Sequence, residues 1–184
     1  PGGGWIVGGE FTQVNGVGRG RLVKLRADGT VDAAFTASAN GSVWALAAAG
    51  GTVYVGGEFT SVNSTTRNRL ARIDAATGAL DATFVPSMTG GSSPAVCALL
   101  VSGTRLIVGG TFTSASGTAH QNLAALDATS GAFVATFTGE ADGRVAALTV
   151  AGTDLVAAGE FDNIGGLARR GVARLDTTTG AAAA

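Results

Sequence analysis

Short apolar runs recur along the chain with a nearly fixed set of glycine and polar positions between them. Trp5-Ile6-Val7, Val53-Tyr54-Val55, Leu106-Ile107-Val108 and Leu155-Val156-Ala157 are apolar at successive positions, and each leads through one or two glycines to Phe11, Phe59, Phe112 or Phe161. A strand with one wet face alternates apolar with polar residues, so these runs predict strands covered on both faces. A second set of strands follows each phenylalanine: Leu22–Arg26, Leu70–Asp74, Leu123–Asp127 and Val172–Asp176.

A tight turn follows each strand of this second set. Asp28-Gly29, Thr77-Gly78, Ser130-Gly131 and Thr179-Gly180 supply the positive φ that a hairpin needs. Beyond the turn, Val31–Phe35, Leu80–Phe84 and Phe133–Phe137 read as a further short strand. Val43–Leu46, Val96–Leu99 and Val145–Leu148 open the next unit. One unit is therefore expected to be a four-stranded antiparallel meander repeating every ~50 residues, within the range of propeller blades. The units fall at about 1–35, 43–84, 96–137 and 145–184, with the first and last incomplete. The expected fold is an all-β propeller forming part of a larger one; a four-bladed ring lacking its seam is the alternative. Paired glycines such as Gly56-Gly57 are expected at crowded contacts between blades.

Composition narrows the chemistry. The 184 residues are 46 % hydrophobic and 14 % charged, with 30 glycines and a net charge of −1, which describes a globular chain without an electrostatic footprint for nucleic acid. One cysteine, Cys97, excludes an internal disulfide framework; aligned with Trp44 and Ala146, it is expected to be a buried, inert packing residue. No apolar run is long enough for a membrane helix, and no signal peptide is apparent, so if the protein is exported its signal is expected upstream. Asn40 and Asn63 open short glycosylation sequons.

The repeat resembles the kelch-type blade, and more closely the bacterial delta-60 propeller repeat. The matching residues are clearest over 43–84: Val43-Trp-Ala-Leu46, Val55-Gly-Gly-Glu-Phe-Thr60, Arg67-Asn-Arg-Leu-Ala-Arg-Ile-Asp74 and Thr77-Gly-Ala-Leu-Asp-Ala-Thr-Phe84. Unit 3 departs with Thr111, His120, Ala125 and Val134 in place of Glu, Arg, Arg and Asp. Unit 4 carries Ala158 for the first glycine. The resemblance implies a binding or structural module of a secreted or cell-surface bacterial protein.

Candidate site residues lie on the rim formed by the connections between second and third strands and between units. Arg19, Arg67, His120 and Arg169 occupy one repeating position there, with Asn68 and Arg170 beside two of them. Met88 lies in the longest inter-unit loop. Guanidinium groups on such a rim suit a protein or glycan partner bearing carboxylates. The competing reading pairs these arginines with Glu10, Glu58 and Glu160 across the hairpin, because the unit with His120 also lacks the glutamate. A tolerated surface insertion equally explains the long loop.

Catalysis is not expected, since His120 has no triad partners in sequence and no glycine-rich loop opens a helix. No cofactor, metal, nucleic-acid or membrane-insertion role is expected. The recurring Asp28, Asp74, Asp127 and Asp176 suit Asx turns better than calcium binding. Three functions remain: a non-catalytic scaffold presenting a loop rim; a structural module pairing through its blade edges with missing blades or sister subunits; and an enzyme with a channel site, for which the inner strands offer few polar groups.

Overall fold

The computed structural model of the chain describes residues 4–183. Each unit centres on one antiparallel sheet. Unit 2 is built from Val43–Ala49, Thr52–Gly57 and Leu70–Asp74. Unit 3 uses Ala95–Ser102, Arg105–Thr111 and Leu123–Asp127. Unit 4 uses Arg144–Ala151, Asp154–Glu160 and Val172–Asp176. In unit 1, Gly4–Gly8 pairs with Leu22–Arg26. The fold is all-β, with repeated antiparallel sheets in a propeller-like arrangement.

The predicted fourth strand is reduced to a single bridge per unit: Leu25 with Val31, Ile73 with Leu80, Leu126 with Phe133 and Leu175 with Ala182. Unit 2 gives the reason. Asp81 Oδ1 accepts the backbone N–H of Thr83 at 2.8 Å and of Phe84 at 3.3 Å, curling the segment off the ladder. The phenylalanine is then driven inward, and Phe35, Phe84 and Phe137 are wholly buried. Inserting a large aromatic here offsets the loss of further ladder bonds.

First strands carry a bulge at one repeating place, between Val43 and Ala45, Val96 and Ala98, and Val145 and Ala147. Trp44, Cys97 and Ala146 occupy it. A bulge turns its residue out of the alternation, and Cys97 is accordingly half-buried rather than sealed in the core.

The connections after Phe11, Phe59, Phe112 and Phe161 are ordered rather than open loops. Each forms a two-residue hairpin, such as Ser61–Val62 with Thr65–Thr66 and Ser114–Ala115 with Thr118–Ala119. Both turn residues have positive φ (Asn15 and Gly16, Asn63 and Ser64, Ser116 and Gly117, Gly165 and Gly166), as a type I′ turn requires. The preceding inter-unit segment joins in. Met88–Thr89 pairs with Ser114–Ala115, Ala39 bridges Val62, and Ala141 bridges Ile164.

The core lies between units, not within them. Leu22 and Phe35 of unit 1 pack with Val53, Val55, Ala71 and Ile73 of unit 2. Tyr54, Leu70 and Phe84 of unit 2 pack with Leu106, Val108 and Phe112 of unit 3. Ile107, Leu123 and Phe137 of unit 3 pack with Leu155, Phe161 and Leu175 of unit 4. Units 2 and 3 are thus covered on both faces, as their continuous apolar runs require. The glycine pairs sit at crowded contacts. A Cβ on Gly8, Gly56 or Gly109 would lie 2.4, 2.4 or 2.7 Å from the Cγ1 of Val43, Val96 or Val145 in the next unit. The second glycine of two pairs serves its own sheet, since a Cβ on Gly57 or Gly110 would strike the carbonyl of Ser42 or Ala95.

Candidate functional site

The repeating rim position is a structural tie. Arg67 is buried; its Nη1 donates to Thr66 O at 2.8 Å and its Nη2 to Asp81 O at 3.1 Å. Arg169 repeats this on Ala168 O at 3.0 Å and Ala183 O at 2.8 Å. Arg19 donates to Gly18 O at 3.0 Å. His120, also buried, faces Gly139 O from Nε2 at 3.0 Å and Glu140 Oε1 from Nδ1 at 3.2 Å, with its ring edge-on to Phe133. In units 2, 3 and 4 the side chain therefore pins the hairpin to the segment after the turn.

The glutamate pairing expected for these arginines is not the one formed. Glu160 meets Arg144 at 3.2 Å, its register partner on the first strand. The glutamate closes the second strand on the side of the first, whereas the arginine leans along the hairpin towards backbone carbonyls. Asn68 Nδ2 donates to Ser87 Oγ at 3.1 Å, stitching the hairpin to the inter-unit segment. Met88 is wholly buried among Leu70, Phe84 and Phe112, so the long loop turns its one large side chain into the core. Of the seven, Arg170 alone is fully exposed, and it pairs with Asp162 at 3.1 Å. The seven predicted residues thus form no common concave site.

Both sequon asparagines have structural work. Asn40 Oδ1 accepts from the N–H groups of Thr60 and Ser61, while Asn63 Oδ1 accepts from Ser38 N–H. The turn aspartates behave as the pattern predicts. Asp74, Asp127 and Asp176 each accept two backbone N–H bonds and the hydroxyl of Thr77, Ser130 or Thr179. These bonds hold the carboxyls below the usual range; the Thr77 hydroxyl is the largest cause at Asp74, and the Ser130 and Thr179 N–H groups at Asp127 and Asp176. Among the described residues no three His, Cys, Asp or Glu side chains converge as metal ligands.

A cleft of about 370 Å³ opens where the first strands meet, lined by Trp44, Glu58, Ser93, Cys97, Thr111 and Arg144. The Cys97 thiol, followed by Glu160, raises the pKa of the Arg144 guanidinium.

Sequence reasoning overlooked a larger feature, the two uncovered sheet faces. In unit 1, Trp5 is 59 % exposed, whereas its equivalent Val53 is 3 % exposed beneath unit 1. In unit 4, Val172 is 60 % exposed, whereas its equivalent Leu123 is wholly buried beneath unit 4. The signal that identifies them is the repeat itself: the same apolar positions lie at the ends of the array and in its middle.

A family profile described as "Domain of unknown function (DUF5122) beta-propeller" matches residues 3–35, 51–84 and 140–180, more than half of the chain. The unmatched stretch includes unit 3, which carries Thr111 and His120. No curated protein matches the chain. Among solved structures, the crystal structure of the computationally designed Ika4 protein aligns with a TM-score of 0.45 at 18 % identity, covering 78 % of this chain and 81 % of that one. The computationally designed Ika8 protein aligns with a TM-score of 0.39 at 12 % identity, covering 90 % of this chain and 68 % of that one.

Proposed function

The chain belongs to the DUF5122 β-propeller family, and on that premise we propose that it is a non-catalytic structural module that assembles through its outer sheet faces. The observation that carries this reading is the pair of incompletely covered apolar faces, exposed Trp5 and Val7 on unit 1 and exposed Val172 beside half-buried Val156 on unit 4. Their equivalents inside the array are core. Monomeric proteins rarely leave contiguous apolar surface uncovered without a partner for it. The rim, by contrast, spends Arg67, Asn68, Met88 and His120 on internal contacts.

The finer reading makes the repeats delta-60 type, relatives of the kelch-type blade, within a secreted or cell-surface bacterial protein. The motif over residues 43–84 supports it. Its partners are further blades or sister subunits, rather than a glycan or an unrelated protein held on the rim.

Two sets of variants test this by light scattering. Face changes (Val7→Asp, Val172→Asp) are expected to abolish association, and rim changes (Arg19→Ala, Arg170→Ala) to leave it intact. Association lost only in the rim set would overturn the reading.

A further inference from the structure

We infer that the cleft between the first strands of units 2, 3 and 4 binds a neutral pyranose, its ring stacked on Trp44 and its hydroxyls bonded to Glu58 and Arg144. The inference is separate from the assembly reading, because the cleft uses neither the outer sheet faces nor the hairpins of the rim.

The hollow exists because unit 3 carries small side chains between larger neighbours. Three adjoining positions of the repeat meet here. The residue before the first-strand valine is Ser42, Ala95 or Arg144 in units 2, 3 and 4; the bulge residue is Trp44, Cys97 or Ala146; and the residue after the second glycine is Glu58, Thr111 or Glu160. The first and third are register partners, Ala95 with Thr111 and Arg144 with Glu160, and the bulge sets the second beside them. The first strand of unit 3 packs between those of units 2 and 4. Ala95, Cys97 and Thr111 therefore form a shallow floor, flanked by Trp44 and Glu58 of unit 2 and by Arg144 of unit 4.

Positions that pack the junctions do not vary in this way. Val43, Val96 and Val145 repeat, as do Phe59, Phe112 and Phe161, and all six are buried. The cleft positions are released from that constraint. They place an aromatic ring, a carboxylate and a guanidinium around one hollow.

Trp44 is 45 % exposed beside Val43 at 2 %, so the bulge holds a large ring out of the core. An indole supplies broad, rigid contact area at low entropic cost, which suits the C–H face of a sugar ring. Glu58 is exposed and enters no ion pair among the described residues, which leaves its carboxylate open to accept from hydroxyls. Arg144 is steadied by Nη1 on Glu160 Oε1 at 3.2 Å and keeps further N–H donors. Thr111 Oγ1 donates to Ser93 O at 2.8 Å and retains lone pairs that accept.

Sugar hydroxyls both donate and accept, so one ring serves both charges. Other ligand classes leave one of them unserved. A carboxylate would meet Arg144 but bring a second negative charge beside Glu58, and an ammonium would meet Glu58 but crowd Arg144. A plain apolar ring would strip water from both charged groups and return no bond. At about 370 Å³ the cleft falls within the ~300–1,000 Å³ range of small-molecule sites.

The test is an NMR titration of the isotope-labelled chain with the methyl glycosides of glucose, galactose and mannose. It reads the indole N–H signals of Trp5 and Trp44, told apart by Trp44→Ala. At least one glycoside is expected to move the Trp44 signal and not that of Trp5, with a Kd on the order of 1 mM for a ligand of about a dozen heavy atoms. The uronic acid and amino sugar of the same configuration, and cyclohexanol as the apolar ring, are each expected to bind at least ~10-fold more weakly. Trp44→Ala, and Thr111→Glu, which fills the floor with the residue that units 2 and 4 hold there, are each expected to weaken binding at least ~10-fold, read from the Cys97 amide. Unchanged circular dichroism and melting verify that both variants fold. An oligosaccharide that binds more tightly than its glycoside assigns the cleft to a glycan end, and equal binding assigns it to the free sugar; both support the site. No Trp44 shift with any of the three, equal binding of cyclohexanol, tighter binding of the acid or amine, or binding that survives both substitutions overturns it.

Discussion

Gly56 lies directly beneath Val96 of the following unit, where a Cβ would come within 2.4 Å of the valine Cγ1 and 3.2 Å of Leu99 Cδ1. The glycine's lack of a side chain, not its backbone freedom, is what the junction uses. Gly56→Ala is therefore expected to cost about 1–3 kcal/mol through overpacking. Ala158→Gly, at the equivalent position facing no described unit, is expected to cost no more than about 1 kcal/mol, as ordinary loss of alanine to glycine. Urea denaturation of both variants checks the contrast; equal losses would remove the steric explanation.

Met88 shows how a loop residue becomes core. Its side chain is enclosed by residues of units 2 and 3, so Met88→Ala is expected to destabilise by about 2–5 kcal/mol. A surface or ligand-contact role predicts almost no change. Thermal and urea unfolding distinguish the two.

Ala128 O accepts from Tyr54 Oη at 2.6 Å and from Arg72 Nη1 at 2.7 Å, and the arginine also stacks over Phe84. Tyr54→Phe leaves the carbonyl one donor and is expected to cost about 0.5–1.5 kcal/mol. Combined with Arg72→Met, which removes the second donor, the loss is expected to exceed the sum of the two single losses. Strict additivity in that double-mutant cycle would show the two bonds to be independent.

The Asx-turn carboxylates set an acid limit. Asp74, Asp127 and Asp176 have folded-state pKa values below the ordinary 3.8, so protons bind them more readily in the unfolded chain. Their contribution is present in full above that value and is lost as pH falls below it through the lowered folded values. Melting temperature is expected to fall below about pH 4. The triple variant Asp74→Asn, Asp127→Asn, Asp176→Asn, which keeps an acceptor oxygen but no titrating group, is expected to flatten that decline. An unchanged acid profile would rule these turns out as its source.

Several local features were legible in sequence because they depend on residues close together in the chain. The strands around Val55, Val108 and Ala157, the Asp-to-Gly turns at 74–78, 127–131 and 176–180, and the collision points at Gly56 and Gly109 all follow from hairpin geometry and apolar run length. Repetition then multiplied each signal. The fourth strand was misjudged because Leu80 is strand-like locally, whereas the Asp81 turn and the pull of Phe84 into the junction with unit 3 decide its path. The arginine–glutamate pairing failed for a related reason. Paired substitution within one chain marks a shared neighbourhood, but not which atom each side chain reaches, and Arg67 reaches backbone oxygen.

By itself, then, the sequence determined an all-β repeat whose sheets need cover on both faces, because hydrophobic run length is a property of the chain alone. Only the tertiary structure decided which faces receive that cover. Burial depends on what packs opposite, so Leu123 is sealed by unit 4 while Val172, at the same place in its own repeat, remains open.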